Sequence, residues 1–381
     1  MGRLATMTQP AMTHGPVPVV PDYGGACLTE VMAALLRRRD GDPPAWLPPP
    51  VVGAEQVVLL VVDGLGWEQL AARPHLAPTL CAMEGGPATT VVPSTTSTAL
   101  TSLTTGAPPA RHGVVGYRIR VLNGEVLNVL RWSTPGGDAR ERVPPETIQP
   151  LEPFLGSKPA VVTRAEFAET GFTRAHLSGS ELWGWRYPST LVQHVKALVA
   201  DGRPLVYAYY PGVDGVAHEY GFGPLYDAEV RAADRMVADL LDGLPAGVAL
   251  VVVADHGQVD VGDRMVPISP DVLSLTSMLS GEGRFRWLHA RPGLAHRLAE
   301  LARARHGELA WVVTRDEVVA AGWLGGALAP EVSARLGDVA LVSRASVAFV
   351  DPADTGTYAL RCRHGSLTSA EMLVPLLAAR A

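Results

Sequence analysis

Residues 57–67, VVLLVVDGLGW, place six consecutive apolar residues directly before Asp63 and a glycine-containing turn. A short valine-rich run that ends at a polar turn is typical of a strand buried on both faces of a parallel sheet. Asp63 then stands where such a strand ends, which is where α/β folds build their sites. Capping of a helix that starts near Trp67 is the alternative role for this acid.

Further apolar runs of the same kind follow, each beside a polar or glycine-rich break. They are the run that ends at residues 91–92 and the runs at 160–163, 205–210 and 248–254. Residues 189–200 and 225–244 carry apolar side chains at helical spacing. This alternation predicts an α/β fold with a mostly parallel central sheet and helices on both faces. The proline-rich stretch 43–51 is expected to approach the first strand in an extended form.

Residues 263–354 differ in character from their surroundings, and we predict that they form a small inserted α+β cap. The core would then comprise residues 1–262 and 355–381. The features predicted within the cap are an arginine- and aromatic-containing run at 284–290, an amphipathic helix at 294–306, a strand at 311–314 and a strand pair within 339–350.

Composition excludes several classes of protein. The chain has 381 residues and a formal net charge of −6, so it lacks the basic character on which general nucleic-acid binding rests. No apolar stretch approaches the roughly 20 residues that span a bilayer, and residues 1–21 do not resemble a secretory signal. Three widely spaced cysteines fit a reduced compartment. We expect a cytoplasmic protein without a nucleic-acid polymer or a membrane as partner, in an oligomeric state that the sequence leaves open.

A cluster of hydroxyl side chains occupies residues 91–106, VVPSTTSTALTSLTTG. The apolar run breaks at Pro93, and the hydroxyls then open a helical segment. Backbone N–H groups and the helix dipole favour an anion at such an N-terminus, so a hydroxyl there can face a phosphate oxygen. Ordinary N-capping by Ser94 or Thr95 is the alternative.

Residues 209–221, YYPGVDGVAHEYG, place Asp214 and His218 four apart. On a helix this spacing puts a carboxylate and an imidazole on one face, as a metal-ligand pair requires. A surface ion pair has the same spacing and is the alternative.

Two later motifs combine histidine with glycine. In residues 248–260, VALVVVADHGQVD, an apolar strand ends at the adjacent Asp255 and His256. Both can serve one site only if the chain turns there, which the following glycine permits. In residues 361–377, RCRHGSLTSAEMLVPLL, His364 precedes a glycine and a predicted final apolar helix.

The combination of these motifs is more specific than any one of them. Three aspartates and three histidines, most of them at predicted strand ends, match the oxygen and nitrogen ligands of two divalent metal ions. The imidazoles favour zinc, with manganese and iron as alternatives. Taken singly, each histidine is equally well interpreted as an ordinary hydrogen-bonded side chain.

The order of the motifs resembles the alkaline phosphatase superfamily, especially type I phosphodiesterase/nucleotide pyrophosphatases and phosphonoacetate hydrolase. The resemblance covers most of the chain and implies an alkaline phosphatase-like core. It implies one metal site at Asp63, Asp255 and His256 with the nucleophile, and a second at Asp214, His218 and His364. The nucleophile of these relatives ends a Pro-x-x-Thr element, which selects Thr96 here, with Thr95 as the alternative register.

Residues 104–117, TTGAPPARHGVVGY, also resemble the relatives' TG-x-x-P-x-x-HG element and support this register. His112 within it is expected to be structural. The phosphodiesterases carry an asparagine after the HG pair that contacts a phosphoryl oxygen, and Tyr117 stands at that position here. The sulfatase pattern Cys-x-Pro-x-Arg is absent around Pro93, which disfavours a sulfatase.

The resemblance implies a small-molecule phosphate ester or nucleotide as substrate and hydrolysis of a phosphodiester or pyrophosphate bond through a phosphothreonine. Two ions roughly 4 Å apart would activate the threonine and a water and stabilise the charge that develops at phosphorus. The alternatives are a phosphomonoesterase, a phosphonate hydrolase, a metal-dependent phosphomutase and a noncatalytic metal-binding protein. Further pocket candidates, which could equally pack around the cap, are Tyr117, Arg118, Arg120, Trp183, Trp185, Arg186, Arg284, Arg286 and Trp287.

Overall fold

The structure, a computed structural model, describes residues 16–121, 124–354 and 360–381. Residues 1–15, for which we expected no secretory signal, lie outside these ranges, as does the predicted boundary between cap and core at residue 355. None of the described helices is both long enough and apolar enough to cross a bilayer. The cytoplasmic location remains a prediction.

Strands and short helices alternate along the described chain. The strands are β1 (Val57–Val62), β2 (Glu84–Thr89), β3 (Arg118–Arg120), β4 (Val126–Asn128), β5 (Ser133–Thr134), β6 (Gly137–Asp138), β7 (Ala160–Arg164), β8 (Glu181–Trp185), β9 (Leu205–Tyr210), β10 (Ala249–Val253), β11 (Val259–Asp260), β12 (Met265–Val266), β13 (Thr276–Glu282), β14 (Phe285–Ala290), β15 (Ala310–Thr314), β16 (Val339–Ser343), β17 (Ala348–Phe349), β18 (Cys362–Arg363) and β19 (Leu373–Arg380). The α-helices are α1 (Leu28–Leu36), α2 (Trp67–Ala71), α3 (Pro78–Ala82), α4 (Thr96–Thr105), α5 (Pro109–His112), α6 (Pro145–Ile148), α7 (Gly171–His176), α8 (Pro188–Ala200), α9 (Gly212–Tyr220), α10 (Pro224–Leu241), α11 (Pro270–Ser274), α12 (Ala295–His306), α13 (Arg315–Ala320), α14 (Pro330–Ser333) and α15 (Ser369–Met372). Short 3₁₀ helices span Pro49–Val51, Pro153–Gly156 and Ala165–Phe167.

The central sheet contains seven strands in the order β2-β19-β10-β1-β9-β7-β8. Strand β1 pairs in parallel with β10 on one side and β9 on the other, and β9, β7 and β8 continue in parallel. Strand β19 runs antiparallel to both of its neighbours, β10 and β2. The predicted mostly parallel sheet is therefore confirmed.

The apolar composition of the inner strands explains their central position. Every residue of β1, β9 and β10 is buried, because helices cover both faces of the sheet. Helices α1, α4, α6 and α7 pack with one another as one group, and α3, α8, α9 and α10 pack as another. Each valine or leucine removed from water contributes roughly 1.5–3 kcal/mol, so these three strands anchor the fold.

Two sequence predictions about the sheet are wrong. Strand β2 ends at Thr89, so Val91 and Val92 lie beyond it, because its pairing with β19 stops at that residue. The final apolar run is a strand and not a helix: only the four residues of α15 are helical, and β19 follows. Pro375 disfavours a helix, because proline has no N–H to donate within a helix interior. The segment instead lies between β10 and β2, which offer hydrogen-bond partners on both sides.

Residues of the predicted cap include an antiparallel sheet in the order β13-β14-β16-β15. Helix α12 packs against β15, and a small apolar core lies between them and the neighbouring strands. The two strands predicted within 339–350 are present as β16 and β17, but they do not pair with each other, because β16 already has β14 and β15 on its two edges. Strand β17 pairs with β12 instead. The division of the chain into cap and core stays a prediction.

Candidate active site

Three neighbouring parallel strands bring carboxylates together at their carboxyl-terminal ends. Asp63 directly follows β1, Asp255 follows β10 after one residue, and Asp214 lies in the first turn of α9 after β9. The backbone N–H of Asp214 donates to the Asp63 carbonyl at 3.0 Å. Residues that are far apart in the sequence therefore meet because their strands are neighbours.

Gly64 allows the close approach of these strand ends. Its φ of +72° lies in the left-handed region, and a Cβ at this position would come within 2.9 Å of the Asp214 Cα. A side chain here would therefore clash with the backbone that carries Asp214. In the Asp-Gly pair after β1, the aspartate supplies a carboxylate and the glycine allows the backbone that carries Asp214 to approach.

Six side chains form what we call the acid–imidazole cluster. Its members are Asp63, Asp214, Asp255, His218, His256 and His364. His256 Nε2 lies 3.5 Å from Asp63 Oδ1 and 3.4 Å from Asp255 Oδ2. His218 Nε2 lies 3.3 Å from Asp214 Oδ1, and His364 Nε2 lies 4.0 Å from the same oxygen. The imidazole rings of His256 and His364 are stacked, with centroids 3.6 Å apart.

The three histidines share one orientation. Nδ1 of His218 contacts the Cys362 carbonyl at 2.7 Å, and Nδ1 of His364 contacts the Ser94 carbonyl at 2.9 Å. Nδ1 of His256 contacts a backbone carbonyl at 3.1 Å. A carbonyl only accepts, so each Nδ1 donates its hydrogen and each Nε2 faces the carboxylates. Metal-binding histidines are held in the same way.

The acids of the cluster are only partly satisfied. Asp63 Oδ2 accepts from the Tyr209 hydroxyl, and Asp255 Oδ1 accepts from the backbone N–H of Gly64 and of His256. Asp63 Oδ1 and Asp255 Oδ2 are buried and have no hydrogen-bond partner among the described residues. Buried acceptors without a donor are costly, so these two oxygens indicate a place for a cation.

Burial and crowding perturb the titration of the cluster. Burial raises the pKa of Asp63 well above its usual value, and the neighbouring Asp255 and Asp214 charges raise it further. Burial also raises the pKa of Asp214. Burial lowers the pKa of His364 well below its usual value, as do the His256 and His218 charges. A neutral His364 cannot compensate the acids, whereas a bound cation would favour the charged carboxylates and would keep His364 neutral.

One hydroxyl of the Ser/Thr cluster faces these groups. Thr96 is the first residue of α4, and its Oγ1 lies 3.1 Å from His256 Nε2. The Ser94 hydroxyl donates to the Ser366 carbonyl at 2.6 Å, and the Thr95 side chain acts on Glu282, whose pKa is raised by burial and lowered by Thr95. The three candidate hydroxyls therefore have different partners, and that of Thr96 belongs to the acid–imidazole cluster.

Three residues that the sequence reasoning missed surround the cluster. Gln258 donates from Nε2 to Asp214 Oδ1 at 2.9 Å. Glu282 ends β13 and reaches the site, where its Oε2 lies 4.0 Å from His364 Nδ1. Burial raises the pKa of Glu282 to about 8. Asn128 donates to the Tyr117 hydroxyl at 2.7 Å, so an amide does stand beside the position where the relatives carry asparagine.

Other predicted pocket residues are not brought to the site. Trp183 and Trp185 lie on β8, an edge strand of the sheet, where Trp185 stacks on Tyr210. Arg186 and Arg120 are exposed and line neither of the cavities described below. Arg284, Arg286 and Trp287 are buried, and both arginines are in ion pairs. Packing and ion pairing therefore account for these three.

His112 also has the structural role expected of it. Its Nε2 lies 2.8 Å from Ser102 Oγ, and its Nδ1 accepts from the backbone N–H of Val114 at 3.1 Å. Burial lowers the pKa of His112 to about 3, so the ring is neutral at physiological pH. It joins α4 to the loop after α5.

Two cavities meet at Thr96 and Asp214. The first, of about 610 Å³, is the more polar of the two and includes Tyr117, Asn128, His218, Glu282 and three arginines, Arg118, Arg131 and Arg363. The second, which we call the core-side cavity, has a volume of about 550 Å³. Its apolar and aromatic lining residues are Leu100, Leu130, Phe167, Phe172, Leu177, Tyr207, Tyr209 and Pro211. Tyr207 and Tyr209 alternate along β9, so the period of two in LVYAYY was the signal that could have identified them.

Comparison with known proteins identifies a matching family and solved structures with a similar fold. A family model described as type I phosphodiesterase / nucleotide pyrophosphatase matches residues 57–367. The structure is similar to murine ectonucleotide pyrophosphatase / phosphodiesterase 5, with 15% sequence identity, a TM-score of 0.63 and coverage of 85% of this chain and 87% of that one. It is also similar to phosphonoacetate hydrolase from Sinorhizobium meliloti 1021 in complex with phosphonoacetate, with 20% identity, a TM-score of 0.63 and coverage of 86% and 90%. No curated protein sequence matches the chain.

Proposed function

The chain belongs to the type I phosphodiesterase/nucleotide pyrophosphatase family of phosphoester hydrolases, and we propose that it hydrolyses phosphodiester or pyrophosphate bonds of small-molecule esters or nucleotides. The observation that carries this proposal is the meeting of the Thr96 hydroxyl with the acid–imidazole cluster at one edge of the sheet. A hydroxyl beside crowded carboxylates and neutral imidazoles suits metal-assisted attack on phosphorus.

The acid–imidazole cluster fits two divalent metal ions. Two groups of three have ligand atoms within 4.8 Å of one another: Asp63, Asp255 and His256, and Asp214, His256 and His364. His256 occurs in both groups, and His218 lies beside Asp214. We assign His256 and Thr96 to the site with Asp63 and Asp255, and His218 to the site with Asp214 and His364. Three imidazoles favour zinc, with manganese or iron as alternatives.

When bound, such ions would lower the pKa of a hydroxyl or water and neutralise charge on phosphoryl oxygens. Thr96 Oγ1 would then form the new bond to phosphorus while the bond to the leaving alcohol or phosphate breaks. Water would cleave the resulting phosphothreonine and restore the hydroxyl. His256 Nε2 lies 3.1 Å from Thr96 Oγ1, but it would be a metal ligand together with Asp63 and Asp255 and could not accept the Thr96 proton. Loss of this proton to solvent would instead be favoured by the charge of the bound ion.

A specific observation favours a second candidate function, hydrolysis of a phosphonate that carries a carboxylate. Arg363 lines the first cavity beside His364. Its Nε is buried and has no hydrogen-bond partner in the part of the chain that the structure describes. A guanidinium in this position could hold a carboxylate as readily as the second phosphoryl group of a pyrophosphate. The two functions therefore share one site and differ in the bond that breaks.

Steady-state hydrolysis by the metal-loaded protein tests the proposal. The substrates are bis-p-nitrophenyl phosphate, p-nitrophenyl phosphate, a dinucleotide pyrophosphate and phosphonoacetate, each with a chelated control. Faster turnover of the diester and the pyrophosphate, lost on chelation, would support the proposed function. Preference for the monoester or the phosphonate would replace it with one of those activities, and inactivity on all four would contradict it.

A further inference from the structure

The core-side cavity has a lining unlike that of the first cavity. Leu100 of α4 and Phe172 of α7 contribute apolar surface, and Phe167 lies beside the Tyr209 ring with centroids 6.3 Å apart. The volume of about 550 Å³ falls within the range of small-molecule sites, so the space holds far more than one water. An organic group of substantial size fits there.

The charged residues of the core-side cavity are the exposed Arg131 and Glu166, and Asp63 and Asp214 beside Thr96. The other polar groups of its lining are uncharged. His176 Nδ1 contacts the Phe172 carbonyl at 2.7 Å, and burial lowers the pKa of this histidine to about 4. The Tyr207 hydroxyl is buried without a hydrogen-bond partner in the described ranges, and burial raises its pKa. A charged ligand group would lose its hydration here without gaining a counter-charge. The inner part of the cavity therefore selects an uncharged group.

The cavity also opens onto the reacting atoms. Asp63, Thr96 and Asp214 all belong to its lining, and Thr96 and Asp214 line the first cavity as well. A phosphorus atom placed at the Thr96 hydroxyl therefore has one cavity on each side. Arg118 and Arg363 line only the first cavity, whereas Arg131 is exposed and lines both. The rings of Phe167, Phe172, Tyr207 and Tyr209 line the core-side cavity.

We propose that the core-side cavity binds an apolar aryl or alkyl group attached to the scissile phosphoryl centre, so that the preferred substrates are phosphoesters bearing such a group. This inference rests on the proposed function for its link to turnover, but binding alone tests it. Burial of a phenyl ring in an apolar pocket should raise affinity about 10- to 100-fold over a methyl group.

Calorimetric titration of the metal-loaded protein with methylphosphonate and with phenylphosphonate measures this preference without turnover. Phenylphosphonate should bind at least about 10-fold more tightly. Phe167→Ala should reduce the ratio about 3- to 10-fold by removing aromatic contact, and Thr163→Leu should reduce it by filling the cavity. Phe167 is half-buried, which favours folding of the variant, and thermal unfolding would verify it.

Trp183→Ala is the matched control, because Trp183 is a half-buried aromatic residue that lines neither cavity. Its affinity ratio should stay unchanged. Equal affinity for the two phosphonates, or a ratio that Phe167→Ala and Thr163→Leu leave intact, would overturn the subsite even if diesters are hydrolysed. Tight, cavity-dependent phenylphosphonate binding without any ester hydrolysis would instead overturn the proposed function and leave the subsite standing.

Discussion

The ion pair between Arg284 and Glu371 and the acid–imidazole cluster both bury charge, but they differ in how their atoms are satisfied. Arg284 Nε and Nη2 donate to the Glu371 carboxylate at 2.7 and 2.8 Å, and Nη1 donates to two backbone carbonyls. Glu371 also accepts from the backbone N–H of Ser366 and from the Thr368 hydroxyl. In the acid–imidazole cluster, Asp63 and Asp255 each leave one buried oxygen without a hydrogen-bond partner among the described residues.

This difference distinguishes a structural charge from a charge held for a ligand. The ion pair is complete in itself and ties the start of β14 to α15. The cluster is incomplete, because its carboxylates repel one another and burial keeps His364 neutral. Buried polar networks stabilise a fold only when they are fully satisfied. We therefore expect the two regions to respond to substitution in opposite ways.

The largest expected effect concerns the hydroxyl that faces the cluster. Thr96→Ala should lower kcat/KM for bis-p-nitrophenyl phosphate by at least about 10³-fold, because it removes the proposed nucleophile. Metal content, measured by elemental analysis, should be unchanged. Thr98→Ala is the control, since Thr98 is a buried threonine of the same helix. Normal turnover by Thr96→Ala together with loss in Thr95→Ala would move the nucleophile to Thr95.

The second prediction breaks the complete ion pair. Glu371→Ala should lower the free energy of unfolding by about 3–5 kcal/mol, because it leaves the buried Arg284 guanidinium unpaired. Urea unfolding of the metal-free protein measures this change. The double substitution Arg284→Met with Glu371→Leu should recover most of the loss, since an apolar pair of similar size avoids the unpaired charge. A loss below about 1 kcal/mol in the single variant would contradict the structural role of the pair.

The third prediction removes a charge from the incomplete cluster, where we expect the stability of the metal-free protein to increase. Asp63→Asn should raise the free energy of unfolding of the metal-free protein by about 2 kcal/mol at pH 8, because it removes one of the mutually repelling charges. It should also lower the metal content. The oxygen of asparagine can still accept from the Tyr209 hydroxyl.

A buried aspartate outside the cluster provides the control for this expected increase in stability. Asp234 accepts from the backbone N–H groups of Thr79 and Leu80 at 3.3 and 2.8 Å. Asp234→Asn should therefore lower the stability measured in the same urea experiment. If Asp63→Asn destabilised the metal-free protein as Asp234→Asn does, the cluster would be a structural network and not a prepared binding site.

The smallest effect concerns Glu282 at the edge of the cluster. Its pKa is about 8 in the folded protein against an ordinary value of 4.5, so folding takes up a proton between these pH values. Its contribution to the stability of the metal-free protein therefore falls as pH rises from about 4.5 to about 8. Relaxation around buried acids moderates the change to about 1 kcal/mol. Glu282→Gln should flatten this part of the pH–stability curve, and an unaltered slope would contradict the assignment.

Local patterns predicted most of the parallel sheet because apolar runs have few alternatives. The segments around β1, β7, β9 and β10 consist of apolar residues, which are stabilised only when other groups cover both faces of the sheet. The final run LVPLLAA was misassigned because its length and composition suit a helix or a strand. The open position between β10 and β2 decides the outcome, and no local pattern contains that information.

The surroundings of the cluster show the same limit. Asn128 and Glu282 occur in stretches without a recognisable motif, and each reaches the site only through the packing of its own small sheet. Trp183 and Trp185 were candidates for the pocket because they are aromatic, but they lie on β8, the edge strand that β7 and β9 separate from β1. Which side chains border a cavity is set by long-range packing and not by spacing along the chain.

The sequence alone determined the family, the α/β core and the order of the motifs that carry Asp63, Thr96, Asp214, Asp255 and His364. These features depend on residue types and spacings within short segments, which can be recognised without the tertiary structure. Only the tertiary structure decided that Thr96, and neither Ser94 nor Thr95, faces the cluster, and that Thr96 lies between a polar and an apolar cavity. Those outcomes depend on contacts between residues more than 100 positions apart, which the pairing of β1 with β9 and β10 fixes.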